Sequence, residues 1–436
     1  MKWPEVKCNQ KTKYFILVVC MYFIYMYIYS DIAPLFEYLY KFKCKFDYLR
    51  FFISFPYVLI IARFSRKQLF KNKISSLFLV PLGLLYFLPG IAMYSFSSFN
   101  NTYFLFHFLS YISLCSADVL IPSLKKEKNL VKLSNERIYT VLGYGISLLT
   151  MAIVIVYNGF HITLNLNDVY SLRNQWSSSS MPNIFNYYIP FAARITPILT
   201  IIALYKRNYV LATTLILSQL ISFSFGGMKY TLFAMIIVLC ISKTVKNKNR
   251  SILFVLISGI LSLSLIDNIF GNSLISIYFI RRTCFIPNQI AYYYFNFAQT
   301  HDYLYFSESF LRHVYEYPYN MTMPHIIGGY AFNKPSMGAN TGLMAEGFSQ
   351  IGWMSLIIYP TLYVIVFRIF EYCSYNMDTN IAIIINISAV ILYSMTFIDG
   401  AFFSVLLTQG FIGICIVLFI LSRNIELYDI THSKRF

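Results

Sequence analysis

Charge is what this chain has least of. Of 436 residues only 12% are Asp, Glu, Lys or Arg, against roughly 25% in an ordinary soluble domain. Acidic residues are the scarcer kind, 18 against 35 basic ones. The eight cysteines are scattered without a CxxC pair, so neither a disulfide framework nor a zinc site is supported. HExxH, paired DxD carboxylates and the GxSxG elbow are all missing, which removes zinc proteolysis and serine hydrolysis. The loops placed outside below hold no acidic cage for a divalent ion, so no metal and no cofactor is expected. There is no repeat of 20–50 residues and no low-complexity linker.

What is present is apolar sequence. Hydrophobic residues make up 58% of the chain and mean hydropathy is +0.59, with runs long enough to cross a bilayer throughout. This excludes a soluble enzyme, a secreted disulfide scaffold and a disordered chain, and predicts an all-α polytopic membrane protein. Apolar spans fall near 14–30, 47–62, 74–94, 102–121, 138–158, 184–205, 209–225, 228–242, 251–266, 353–370, 381–398 and 401–421. The first follows Lys2, Lys7, Lys11 and Lys13 and lacks a small-residue cleavage site, so it is expected to be retained as a helix.

A net charge of +17 would suggest a nucleic-acid partner in a soluble protein. Here the basic residues sort by side of the membrane instead, and no nucleic acid is expected. With the N-terminus inside, about two-thirds of Lys and Arg fall in cytoplasmic segments, as the positive-inside rule requires. Those segments hold Arg63 to Lys73, Lys125 to Arg137, Lys206 and Arg207, Lys243 to Arg250, Arg368 and the C-terminal Arg423, Lys434 and Arg435. Lys41, Lys43 and Lys45 run against the count. The reading is about twelve transmembrane helices with both termini cytoplasmic. Residues 1–266 carry helices one to nine, 267–352 form one large outer loop, and 353–436 carry helices ten to twelve and a tail. The loop is rich in Tyr and Phe, so it is expected to be ordered, with amphipathic helices on the outer bilayer surface.

Ionisable groups inside spans are costly and by default face a cavity or a partner. Arg194 lies a little over two turns into the sixth span, and Lys229 follows "FGGM" at the tip of a hairpin. Gly226 and Gly227 let backbone amides approach a ligand there, and the next helix begins with its positive dipole end outward, an anion-binding combination. Arg173 lies in an outer loop, and Arg281 and Arg282 open the long one. Adjacent on a helix, those two diverge by about 100°, so that one can grip an anion while the other meets lipid phosphate. Arginine forks suit bidentate phosphate contact, and the ligand the set suggests is a lipid pyrophosphate. Candidate bases or orienting groups are Asp302, Glu308, His313, Glu316, His325 and Glu346, the histidines for their near-neutral titration. An aromatic such as Tyr294 could stack on a sugar, although aromatic belts at interfaces are commoner.

From Arg281 to Gly352 the sequence resembles the O-antigen polymerase (Wzy) family. The matching pieces are "RRTCFIPNQIAYYYFNF" and "GANTGLMAEGFSQIGWMSLIIY", with "DVYSLR" and "FGGMKYTLF" upstream. Where the family often has Asp, this chain has Glu346. The resemblance implies a GT-C-like fold and a metal-independent glycosyltransferase in the bacterial inner membrane, with its active site periplasmic. The growing glycan would pass from undecaprenyl diphosphate onto a new lipid-linked repeat unit. Membrane lipids and a chain-length regulator protein are the further partners implied. In that setting Arg173, Arg194, Lys229, Arg281 and Arg282 would bind the diphosphate, Tyr294, Asn340 and Thr341 the sugars, and Glu346, or else His325 or His313, would be the base. An O-antigen ligase predicts a similar loop and arginines. A lipid-linked oligosaccharide flippase would need two similar halves and an internal cationic cavity.

The charge count predicts that reporter fusions after Thr300 and after Lys246 report opposite sides of the membrane. The same side for both would overturn the topology.

Overall fold

The computed structural model describes residues 8–71, 73–124, 138–159, 171–172, 176, 181–227, 229–244, 252–309, 311–374 and 379–422. At a few helix-end positions, Lys229 among them, only the backbone is described. Every regular element among these residues is a helix. Nine are long and apolar enough to cross a membrane: Thr12–Ile32, Tyr48–Leu69, Ser75–Ser95, Asn101–Leu120, Ile138–Asn158, Asn183–Tyr205, Ile252–Ile269, Leu343–Cys373 and Phe402–Ser422. Two shorter apolar helices cover Tyr209–Phe225 and Ile383–Asp399. The chain is thus a multi-pass helical protein by length and composition.

Polar residues at the ends of apolar runs start and stop these helices. Asp47 accepts from the Arg50 N–H at 3.2 Å, Asn100 from Tyr103 at 2.7 Å and Asn208 from Leu211 at 3.1 Å. Each satisfies a backbone donor that the first helical turn leaves without a partner. Gly227, at φ +55°, closes the Tyr209–Gly226 helix by donating to the Phe223 carbonyl. Prolines at 56, 190, 197 and 360 lie inside helices, where neighbouring groups take up the freed carbonyls. Gln219 does so for Pro197, donating to the Ala193 carbonyl oxygen at 2.8 Å.

The compact units are not consecutive in sequence. The first comprises residues 1–123, 253–368 and 394–402; the second comprises 124–252, 369–393 and 403–436. In the second, Tyr188 donates to the Ile146 carbonyl at 2.8 Å. The Gln219 amide there bridges the carbonyls of Ala193 and Thr231 at 2.8 and 2.9 Å.

In the first unit, two helical stretches widen into π-helix, at Gly83–Phe87 and Ser276–Phe285. Asn288 ties them together, donating to the carbonyls of Tyr86 at 2.9 Å and Cys284 at 2.8 Å. The same unit buries a charge cluster. Asp118 pairs with Arg368 at 3.0 Å and Lys71 at 2.6 Å, and Ser76 donates to both its oxygens at 3.0 Å. Arg368 also donates to Ser75 and to the carbonyls of Asp118 and Ile121. The charge count places Arg368 with the cytoplasmic basic residues; the structure buries it, at 2% exposure, in this network.

Removing one partner of a buried pair strands the other charge. Asp118→Asn is therefore expected to cost about 3–5 kcal/mol, read as a lower melting temperature in detergent. Lys71→Met, at the more open edge of the cluster, should cost much less.

Candidate functional site

The 276–298 segment of the first unit carries the paired arginines. Its ten-residue π-helical start runs directly into the Ile286–Ala298 helix, and π-helical turns recur at functional sites because they re-aim side chains. Arg281 turns inward: its Nε donates to the Ile277 carbonyl at 3.0 Å and its guanidinium lies 3.6 Å from the centre of the Phe36 ring. Tyr40 adds a second ring at 5.6 Å, so the charge is held against aromatic faces. Arg282 is exposed, and among the described residues it forms no hydrogen bond and no contact ion pair. Of the two arginines, only Arg282 is exposed.

Within range of the Arg282 charge is Asp399, at the end of the Thr379–Asp399 helix. The Arg282 charge acts on its carboxylate without contact pairing. Asp399 is reached by solvent although it sits deep among protein atoms. No motif pointed to it. The available signal was its type and place, an acid in "FIDGAFF" between the last two spans of an acid-poor chain.

The "GANTG" segment packs on this same turn. Gly342 donates to the Ile398 carbonyl at 3.0 Å, and a Cβ there would run into the carbonyl oxygens of Phe397 and Gly400. Only glycine permits that approach. The next residue, Leu343, is held at φ +55°, with its N–H donating to the Tyr363 hydroxyl at 3.1 Å. A non-glycine residue in this region stores strain of the kind found at functional sites. Asn340 is exposed, whereas Thr341 is buried and its hydroxyl has no hydrogen-bond partner among the described residues.

Glu346 follows on the Leu343–Ile351 helix and is 6% exposed. The Gln350 amide lies 3.4 Å from its Oε1, while its Oε2 and the nearby Tyr359 hydroxyl have no hydrogen-bond partner among the described residues. Gly347 lets Tyr359 come this close, since a Cβ would lie 2.6 Å from its ring. Glu308 adds its charge to the neighbourhood of Glu346, and both act on buried Tyr294. Residues 304–306 dock on the same helix, with Leu304 and Tyr305 donating to the Ser349 and Gln350 carbonyls at 3.0 Å. The Phe306 N–H meets the Gln350 side chain at 2.8 Å.

The structure therefore brings Arg281, Arg282, Tyr294, Asn340, Thr341 and Glu346 into one unit, while Arg194 and Lys229 belong to the other. Arg173 lies outside the described residues. Lys229 opens the Lys229–Thr244 helix, its side chain likewise outside the description. Arg194 is buried and donates to Gln409 as well as to Pro190. His313 is exposed, with Nε2 accepting from the Arg312 Nε at 3.1 Å, and His325 is half-buried, with Nδ1 2.8 Å from the Pro335 carbonyl. Among the described residues no group of three or more His, Cys, Asp or Glu could hold a metal ion.

Comparison with known proteins adds nothing to this geometry. No family model, curated protein or solved structure matches the chain.

Burial pushes the Glu308 carboxyl above the ordinary carboxylate range, while a hydrogen bond from the Met323 N–H pulls the other way. A carboxyl raised in the folded state stabilises fully below its unfolded pKa, and that contribution is lost as pH rises through the raised value. Glu308→Gln keeps the acceptor for Met323 and removes the titration. Its melting temperature relative to the native protein should accordingly rise as pH increases above the ordinary carboxylate range of about 4. A flat difference across that window would rule out the titration.

Proposed function

We propose that this chain is a surface-polysaccharide polymerase of the O-antigen type, with a GT-C-like fold, in the bacterial inner membrane. It transfers the growing glycan from undecaprenyl diphosphate onto a new lipid-linked repeat unit at the periplasmic face, with a chain-length regulator as a further partner. The observation that carries this reading is Arg282: an exposed arginine without a partner among the described residues, on a π-helical segment, its charge acting on the Asp399 carboxylate. The resemblance of "RRTCFIPNQ" and "GANTGLMAEG" to the polymerase family supports it from the sequence side.

The chemistry follows from charge. When the anomeric carbon leaves its phosphate oxygen, negative charge builds on a lipid diphosphate. A fixed guanidinium stabilises that charge without reorganising. Arg282 supplies it, while Arg281, held over Phe36 and Tyr40, shapes the segment that presents it. Exposed Asn340 is available to sugar hydroxyls, next to a strained, closely packed turn that holds it in place.

Loss of one donor to a developing oxyanion costs roughly 2.7–4 kcal/mol. Arg282→Gln should therefore cut polymer formation about a hundredfold, and Arg282→Glu abolish it, with the protein still inserted. Purified enzyme given lipid-linked repeat units should polymerise them in excess chelator; inhibition reversed by magnesium would overturn metal independence. Deleting the gene should leave lipid A core bearing a single repeat. Lipid-linked polymer accumulating in the deletion strain would make the protein a ligase instead.

A further inference from the structure

Glycosyl transfer to a sugar hydroxyl needs a base that touches that hydroxyl. Glu346 is almost wholly buried, 6% exposed, with the Gln350 amide 3.4 Å from its Oε1 and its Oε2 shut away from solvent without a hydrogen-bond partner among the described residues, so a bulky acceptor sugar has no path to it. His325 is engaged by the Pro335 carbonyl, His313 by Arg312, and His301 stacks on Phe297 with ring centres 3.8 Å apart. Asp399 differs from all of these. It is solvent-accessible, makes no hydrogen bond or contact ion pair among the described residues, and lies within reach of the Arg282 charge.

The turn that carries Asp399 is braced from beneath. Gly342 donates to the Ile398 carbonyl, and Gly400 to that of Thr396 at 2.9 Å. Phe402, at the end of the same turn, lies near enough to act on the Glu346 carboxyl, and the Glu346 helix begins one residue after Gly342. A group held this way keeps its place when substrate arrives, which is what orientation in catalysis requires.

We propose that Asp399 is the catalytic base and that Glu346 is a positioning residue acting through the 399–402 turn. The proposal rests on the polymerase reading and assigns a role within it. The acceptor hydroxyl oxygen bonds to the anomeric carbon of the donor glycan, and its proton moves to the Asp399 carboxylate. The bond from that carbon to the phosphate oxygen breaks, and its electron pair stays on the departing lipid diphosphate, opposite Arg282. Asp399 then releases the proton to solvent, so the carboxylate is restored and no co-reactant is consumed.

The test uses the full chain in lipid bilayers, with undecaprenyl-diphosphate-linked repeat units extracted from a strain lacking this gene. Removing a general base costs about 10²–10⁴ in rate. Asp399→Asn should therefore lower kcat at least a hundredfold with KM little changed, and Asp399→Glu should recover part of it. Asp399→Ser is read in the same way should the Asn variant fail to insert. Glu346→Gln should slow the native enzyme but change nothing further in the Asp399→Asn background, because it acts through Asp399. A merely structural Glu346 would instead lower melting temperature equally in both backgrounds. If native enzyme makes polymer and Asp399→Asn stays within tenfold of it, the base assignment alone is overturned. If native enzyme makes no polymer, the polymerase reading falls and the assignment with it.

Discussion

Hydrocarbon offers no hydrogen-bond partner, so each polar group within this chain's apolar helices must find one inside the protein. The buried network around Asp118 shows what that entails. One carboxylate takes two cations and a hydroxyl, and Arg368 spends its remaining donors on backbone carbonyls and a serine. Arg194 donates to the Pro190 carbonyl and to Gln409. Gln219 bridges two carbonyls on other helices. Side chains bonded in this way tie helices to one another, which is the mark of a structural role.

Against that background Arg282 and Asp399 stand apart as exposed charges without a hydrogen bond among the described residues, and the Thr341 hydroxyl, Glu346 Oε2 and the Tyr359 hydroxyl are buried without one. They sit where the backbone is least regular. A π-helical segment carries the arginine, a left-handed Leu343 follows the "NTG" turn, and Tyr305, Phe306 and Gly352 hold positive φ in the loop docked on the same helix. Such conformations cost about 1–3 kcal/mol each for residues other than glycine. The packing that holds them is specific: Gly342 against Phe397 and Gly400, Gly347 against the Tyr359 ring. In this unit regularity has been given up around one set of open polar groups, and the energetic cost is met by close contact beneath them.

Twin arginines offer a direct view of how one sequence feature divides into two roles. Adjacent residues on any helix point in different directions, and here one direction leads to Phe36 and Tyr40 while the other leads outward. Cation–π contact stabilises Arg281 where it is. It also fixes the rotation of the segment, and hence the aim of Arg282.

Much of this architecture was legible in the amino-acid order alone. Apolar run length is a local property, and a bilayer turns it into helices without reference to the rest of the chain; hence the agreement of runs such as 138–158 and 184–205 with Ile138–Asn158 and Asn183–Tyr205. Capping by Asp47, Asn100 and Asn208 is equally local. The arginine pair, "GANTG" and Glu346 were visible as motifs. Their division into buried and exposed was not, because burial depends on residues far away in sequence. Phe36 silences Arg281 across more than two hundred positions, and the turn at 399–402 meets Gly342 and Glu346 from the far end of the chain. Asp399 carries no motif at all. Only the fold sets it within range of the Arg282 charge, since a carboxylate's surroundings are decided by which helices pack together and not by its neighbours along the chain.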